Sequence, residues 1–158
     1  MARQSAVLVT GMSGVGKSTA LAELASRGYA TVDTDEGPWI DVVRGEPLWR
    51  EPLIEELLDR PREAPVFIQG TVANQGRFYD RFDAVVLLTA PTDVVLDRIG
   101  RRTNNPFGKS AEQRAQILAD IAEVEPLLRQ AATHEIDTTR PLSEVVDILV
   151  GIASRPTL

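Results

Sequence analysis

The chain has 158 residues, 43% of them hydrophobic and 25% charged, enough for one well-cored unit and ordinary for a folded protein. A formal charge of −6 argues against nonspecific binding to nucleic acid or to an anionic membrane. The lack of cysteine excludes disulfides, thiolate metal sites and cysteine nucleophiles, and no apolar run approaches membrane-spanning length, so a soluble, cytoplasmic protein is expected.

Short Val/Ile/Leu-rich runs alternate with stretches of helical period, the pattern of an α/β fold with a parallel sheet. The first run, Ala6 to Thr10, enters Gly11-Met12-Ser13-Gly14-Val15-Gly16-Lys17-Ser18, and Ala20, Leu21, Leu24 and Ala25 then share a helical face that ends at Gly28. This is the pattern G-x-x-x-x-G-K-[ST] between a strand and a helix, the context in which it grips phosphate. Backbone N–H groups of Gly11, Ser13, Gly14, Val15 and Gly16 and the helix N-terminus form the cradle. Lys17 reaches the β- and γ-phosphates, Ser18 ligates Mg²⁺, and Thr19 faces the α-phosphate.

A second run, Tyr29 to Val32, leads into Asp33-Thr34-Asp35 at the edge where parallel sheets place ligands. Asp33 can accept the proton of an attacking hydroxyl or hold the Mg²⁺ shell through water, and Asp35 can orient substrate hydroxyls. Residues 36–65, rich in Trp, Pro and charge, are expected to lie over the sheet as an insertion, with small helices in it where Pro52 to Arg60 carries Leu53, Leu57 and Leu58 at helical spacing. Trp39, Arg44, Trp49 and Arg50 from this segment, with Gly70 at the end of the third run (Val66 to Gly70) and Asn74, Gln75 and Arg77 after it, are candidate contacts to a small-molecule phosphate acceptor. An acceptor carrying phosphate or carboxylate would suit the arginines.

The third run ends in Gln69-Gly70 where mechanical ATPases place a carboxylate, and the guanine-reading Asn-Lys-x-Asp element of GTPases is missing. The run Ala84 to Thr89 is followed by a helix carrying Val94, Val95, Leu96 and Ile99. Arg98, Arg101, Arg102 and Lys109 then gather around the turn-rich Thr103 to Gly108, so residues 101–110 read as a lid, with Arg101 or Arg102 stabilising charge on a transferring phosphoryl group. Ser110 and Gln113 form a capping box for a long helix interrupted near Pro126. His134 to Asp137 is a short strand, its lone histidine read as structural or exposed, and Pro141 opens a helix with Leu142, Val145, Val146, Leu149 and Ile152 on one face.

The segments GMSGVGKST, DTD, VVLLTAPTDVVLDRIGRR and IDTTRPLSEVVDIL together resemble the nucleoside-monophosphate-kinase-like branch of P-loop kinases, with shikimate and gluconate kinases the nearest comparisons. The resemblance implies ATP and Mg²⁺ as cofactors, a five-stranded parallel sheet in the order 2-3-1-4-5 with helices on both faces, an acceptor-binding insertion at 36–65 and a lid at 101–110. It places the purine between Arg98 or Arg102 and the loop holding Thr139, Arg140 and Pro141. The chain is then expected to be one kinase domain over residues 1–158, a monomer that phosphorylates a hydroxyl, or a phosphate, of a small molecule. The loop Gly70-Thr71-Val72 lacks the Gly-Gly turn typical of shikimate kinases, which points away from shikimate itself. A nucleoside monophosphate kinase is the neighbouring alternative, and a regulatory nucleotide-binding module without an acceptor is the alternative of another class.

Overall fold

A computed structural model describes residues 4–101 and 110–154. Five strands, β1 (Ala6–Thr10), β2 (Ala30–Asp33), β5 (Val66–Gln69), β6 (Ala84–Thr89) and β7 (His134–Asp137), form one sheet in the order β2-β5-β1-β6-β7. Every pairing is parallel, and counted among these five strands the order is the expected 2-3-1-4-5.

Alternation along the strands explains why the sheet needs cover on both faces. Val7 and Val9 of β1 turn into a cluster with Phe67, Val86 and Leu88, covered by Leu21 and Leu24 of α1 (Lys17–Ser26) and by Val146 and Leu149 of α5 (Leu142–Ala153). Ala6 and Leu8 turn the other way, onto Trp49, Phe78, Phe82 and the residues Ile54 and Leu58 of α2 (Glu51–Asp59). The predicted helical faces hold with small phase changes: Ala25 is exposed, and Ile54 rather than Leu53 is buried in α2.

Two expectations are corrected. The insertion, expected to hold small helices, has α2 over the stretch carrying Leu53, Leu57 and Leu58, but ahead of it lies an antiparallel hairpin, β3 (Ile40–Val43) and β4 (Glu46–Trp49). Arg44 and Gly45 turn it with φ of 54° and 79°, the left-handed pair that a two-residue hairpin of matching twist requires. Arg at the first position hides the Asn-Gly or Asp-Gly signal by which such turns are recognised. Pro126 does not interrupt its helix either: α4 (Ala111–Ala131) runs through it, capped at Ser110, whose hydroxyl accepts the Gln113 N–H at 3.1 Å. Between β6 and α4, α3 (Thr92–Gly100) buries Val95 and Ile99.

Candidate active site

The loop between β1 and α1 is shaped by what packs on it. Gly14 has φ of 86°, and a Cβ there would lie 3.0 Å from both Ile99 and Val95, so α3 sits where only glycine leaves room. Gly16 caps α1 without a side-chain hydrogen bond, which leaves the first-turn N–H groups to an anion. Lys17 folds over the loop, its Nζ donating to the carbonyls of Gly11 and, at 3.3 Å, Met12. Thr71, just past β5, staples the loop from the other side: its hydroxyl donates to Gly11 O at 2.7 Å and accepts Gly11 N–H at 3.3 Å.

The carboxylates stand one strand away. Asp33 and Gln69 are paired across the β2–β5 register and therefore point to the same face. The Gln69 amide Nε2 donates to Asp33 Oδ1 and, at 3.1 Å, to Asp35 Oδ2, while Asp33 Oδ1 also accepts the Asp35 N–H at 2.9 Å. Gln69 is fully buried, and its Oε1 has no hydrogen-bond partner among the described residues. Asp35 is exposed and lines a cleft of about 640 Å³ together with Gly11, Met12, Ser13 and Lys17. Glu46 and Pro47 of the hairpin, Thr71 to Ala73, and Asp120, Val124 and Leu128 of α4 complete its wall.

On the far side of the phosphate loop lies a second cavity, of about 270 Å³, lined by Gly16, Thr19, Ala20, Arg98, Thr138, Arg140, Leu142 and Val145. Arg98 shapes it, donating to Thr138 Oγ1 and Thr138 O at 2.9 Å each, to Val15 O at 3.2 Å and to Gly14 O at 3.4 Å. The next turn is held by Asp137 Oδ1, which accepts the Thr139 N–H at 2.8 Å and the Thr139 hydroxyl at 2.7 Å. These bonds, backbone first, hold the Asp137 carboxyl below its ordinary range, with Arg140 and Arg98 adding smaller attractions and burial opposing.

The sequence candidates thus divide. Lys17, Asp35, Gly11 and Ser13 meet in the larger cleft, and Gly16, Thr19, Arg98 and Arg140 in the smaller. Ser18 is exposed in the first turn of α1, Val15 turns its side chain into the core, and Thr139 and Pro141 form the turn that opens α5 without lining the cavity. Arg101 is exposed at the end of α3 and pairs with Asp97 of its own helix at 3.1 Å. Arg102 and the rest of the proposed lid, 102–109, lie outside the described residues.

Most of the acceptor candidates are elsewhere. Trp49 is 2% exposed, packs against Phe78 and Phe82, and donates from Nε1 to Thr34 Oγ1 at 2.9 Å, so it is a core residue. Gly70 is glycine because a Cβ would fall 2.6 Å from Thr34 Oγ1 and 2.9 Å from the Trp49 ring. Asn74 bridges the Trp49 N–H and C=O, and Gln75 is buried between Thr10, Val72 and Tyr79. Arg77 pairs with Glu51 at 3.2 Å, Arg44 forms the hairpin turn, half-buried Trp39 packs on the Trp49 cluster, and Arg50 opens α2 beside a separate cavity. Conversely Thr71, Glu46, Asp120 and Leu142 line the two cavities, and buried Gln69 holds Asp35 on the wall of the larger one, without having been picked as site residues. Gln69 alone carried a signal, a polar residue closing a buried apolar run.

Ser18 and Asp33 supply a hydroxyl and a carboxylate, the oxygen donors that suit Mg²⁺ shared with a nucleotide's phosphates. Asp33 Oδ1 is held by Gln69 and Asp35, and Oδ2 has no protein partner among the described residues. Among the described residues no group of three or more His, Cys, Asp or Glu could by itself hold a metal.

Comparison with known proteins decides the family. The AAA domain family matches over residues 7–119, which include the phosphate loop, both aspartates and α3. The shikimate kinase of Halorhodospira halophila is 32% identical over 151 residues, covering 85% of each chain. The chain belongs to the P-loop small-molecule kinases. A second relative, the shikimate kinase of Nitrobacter winogradskyi, is 30% identical over 98% of this chain and 79% of its own. In fold the kinase is similar to a shikimate kinase from Acinetobacter baumannii in complex with shikimate, with a TM-score of 0.65 at 19% identity and 96% of each chain covered. It is also similar to a gluconokinase from Sinorhizobium meliloti, with a TM-score of 0.59 at 20% identity over 99% of this chain and 95% of that one. It is therefore an ATP-dependent phosphotransferase of the nucleoside-monophosphate-kinase-like superfamily that acts on a small molecule. Among the described residues no helix is long and apolar enough to cross a membrane.

Proposed function

We propose that the enzyme transfers the γ-phosphate of Mg²⁺-ATP to a hydroxyl of a small molecule held in the cleft between the phosphate loop, the β3–β4 hairpin and α4. The observation that carries this is the presence of Asp35 and Lys17 on the wall of one cavity. The base stands on the β2 side, the phosphate grip on the loop side, and the acceptor has room between them. The nucleobase belongs in the smaller cavity, against Leu142 and between Arg98 and Arg140.

Asp35, which lines the cleft, is the residue to orient the acceptor hydroxyl and take its proton; Asp33, set back from the cleft wall, suits a water of the metal's shell. The acceptor oxygen forms a bond to the γ-phosphorus as the bridging oxygen leaves with ADP, and the hydroxyl proton passes to the Asp35 carboxylate. Lys17 and the α1 N-terminus offset the charge on the moving group. Mg²⁺, held by Ser18 and through water by Asp33, would supply further neutralisation of the phosphates. We also expect one kinase unit, monomeric and cytoplasmic, with residues 36–65 forming the acceptor wall and 101–110 closing over it.

The test is release of ADP across hydroxylated metabolites, nucleosides and nucleoside monophosphates. Lys17→Ala and Asp35→Asn should each lower kcat by about a hundredfold or more, and Asp35→Asn should leave ATP affinity within roughly twofold. Unchanged acceptor-dependent turnover in Asp35→Asn would remove it from the mechanism. Nucleotide hydrolysis indifferent to every acceptor would favour a regulatory module.

A further inference from the structure

The cleft that faces Lys17 has an acidic wall built from three separate parts of the fold. Asp35 comes from the turn after β2, Glu46 from the start of β4 and Asp120 from the middle of α4. They do not gather into an ion site, since no three carboxylates among the described residues are placed to share a metal. They are spread around a space of about 640 Å³, and the one cation on its described wall is Lys17, which belongs to the phosphate loop.

The described arginines of the hairpin, of the start of α2 and of the stretch after β5 are turned elsewhere. Arg77 is paired with Glu51, Arg44 forms the hairpin turn, and Arg50 lines a different cavity beside Asp41 and Glu51. A carboxylate or phosphate on the acceptor would enter against three like charges, with no guanidinium among the described residues of that wall to receive it. A protonated amine meets the opposite situation, and the acidic field also draws it in from solution. Met12, Pro47, Val72, Val124 and Leu128 add apolar surface for a carbon skeleton.

We infer that the phosphate acceptor is a hydroxylated amine, an amino alcohol or amino sugar whose ammonium group lies against Glu46 and Asp120 while its hydroxyl meets Asp35. This rests on the assignment of the cleft as the acceptor site of the kinase. It separates the enzyme by substrate chemistry from relatives named for hydroxycarboxylates.

The test uses the whole chain with Mg²⁺-ATP and three panels of equal size: hydroxylated amines, hydroxycarboxylates including shikimate and gluconate, and uncharged polyols. ADP release is measured for each, and ATP binding is measured separately by calorimetry. Turnover concentrated in the amines is expected, with the KM of the best amine rising about tenfold or more in Glu46→Gln/Asp120→Asn while kcat stays within roughly threefold. The charge reversal Asp120→Lys should raise that KM further. Turnover of hydroxycarboxylates or polyols in preference to amines overturns the inference, as does an amine KM indifferent to both variants. Silence in all panels overturns it too. In that case intact ATP binding leaves the nucleotide site standing, and lost ATP binding counts against the kinase assignment as well.

Discussion

The guanidinium of Arg98 grips both oxygens of Thr138, hydroxyl and carbonyl, at 2.9 Å each, and reaches from there to the Val15 carbonyl at 3.2 Å. One side chain thus ties α3, the turn after β7 and the phosphate loop into a single rim around the smaller cavity. The Thr138 hydroxyl, 2.6 Å from Val15 O, makes the same link directly. Charge-assisted hydrogen bonds are worth about 1.5–3 kcal/mol, so Arg98→Ala should weaken ATP binding roughly ten- to a hundredfold. Arg98→Lys should not restore it, because an ammonium cannot fork between two oxygens in one plane. Calorimetry with a non-hydrolysable ATP analogue measures both, and affinity within twofold of the parent for Arg98→Ala would refute the rim's role.

Gln69 occupies the place where mechanical ATPases keep a carboxylate, and it gives hydrogen bonds to two carboxylates instead. Replacing it by leucine removes the donor, and with it the buried Oε1 that has no partner, so the cost to the fold is small while Asp33 and Asp35 lose their common tether. The expected result for Gln69→Leu is a kcat about ten- to a hundredfold lower, with ATP affinity nearly unchanged. Gln69→Glu should be worse, since it sets a third carboxylate against the pair. Steady-state kinetics beside a melting curve separate the two effects; a large fall in Tm with unaltered kcat would make Gln69 a purely structural residue.

How much of this was legible beforehand depended on the range of the interaction. The phosphate loop and the Asp33-Thr34-Asp35 turn are local patterns at strand ends, and the alternation of Val7 and Val9 against Ala6 and Leu8 is set by backbone geometry. The role of Trp49 was hidden because its partner, Thr34, is fifteen residues away and is brought near by the hairpin, whose Arg44-Gly45 turn carries no familiar signature. Asp120 and Glu46 could not be joined to Lys17 from sequence, because neither α4 nor the hairpin announces which of its faces meets the loop.

Asp137 gives a pH dependence of known sign. Its folded-state pKa lies below that of the unfolded chain, because the Thr139 N–H and hydroxyl favour the carboxylate. Its stabilisation is therefore fully present above the ordinary carboxylate range and is lost as the pH falls through the lower, folded value. Asp137→Asn should lower Tm at neutral pH, and the gap between variant and parent should close on acidification. Melting curves from neutral pH down to about pH 3 follow it; a gap that widens in acid would contradict the assignment.

Trp49 and Gly70 test whether the segment after β2 touches the acceptor with its largest side chain or only supports the wall that does. The Trp49 ring fills the space above Gly70, and its N–H holds the buried Thr34 hydroxyl, which in turn donates to Gln69 O at 2.8 Å. Gly70→Ala forces a methyl group to within 3 Å of both neighbours and should cost about 1–3 kcal/mol, a fall in Tm of roughly 2–4 °C for each kcal/mol in a chain of this size. Trp49→Phe keeps an aromatic ring but removes the N–H and part of the volume, with a loss of similar order. Both variants should retain ATP affinity, and their acceptor KM should rise by less than about threefold below the melting range. A contact residue would behave in the opposite way, raising KM steeply at unchanged stability, so urea denaturation and acceptor kinetics on the same two proteins decide whether Trp49 belongs to the core or to the cleft.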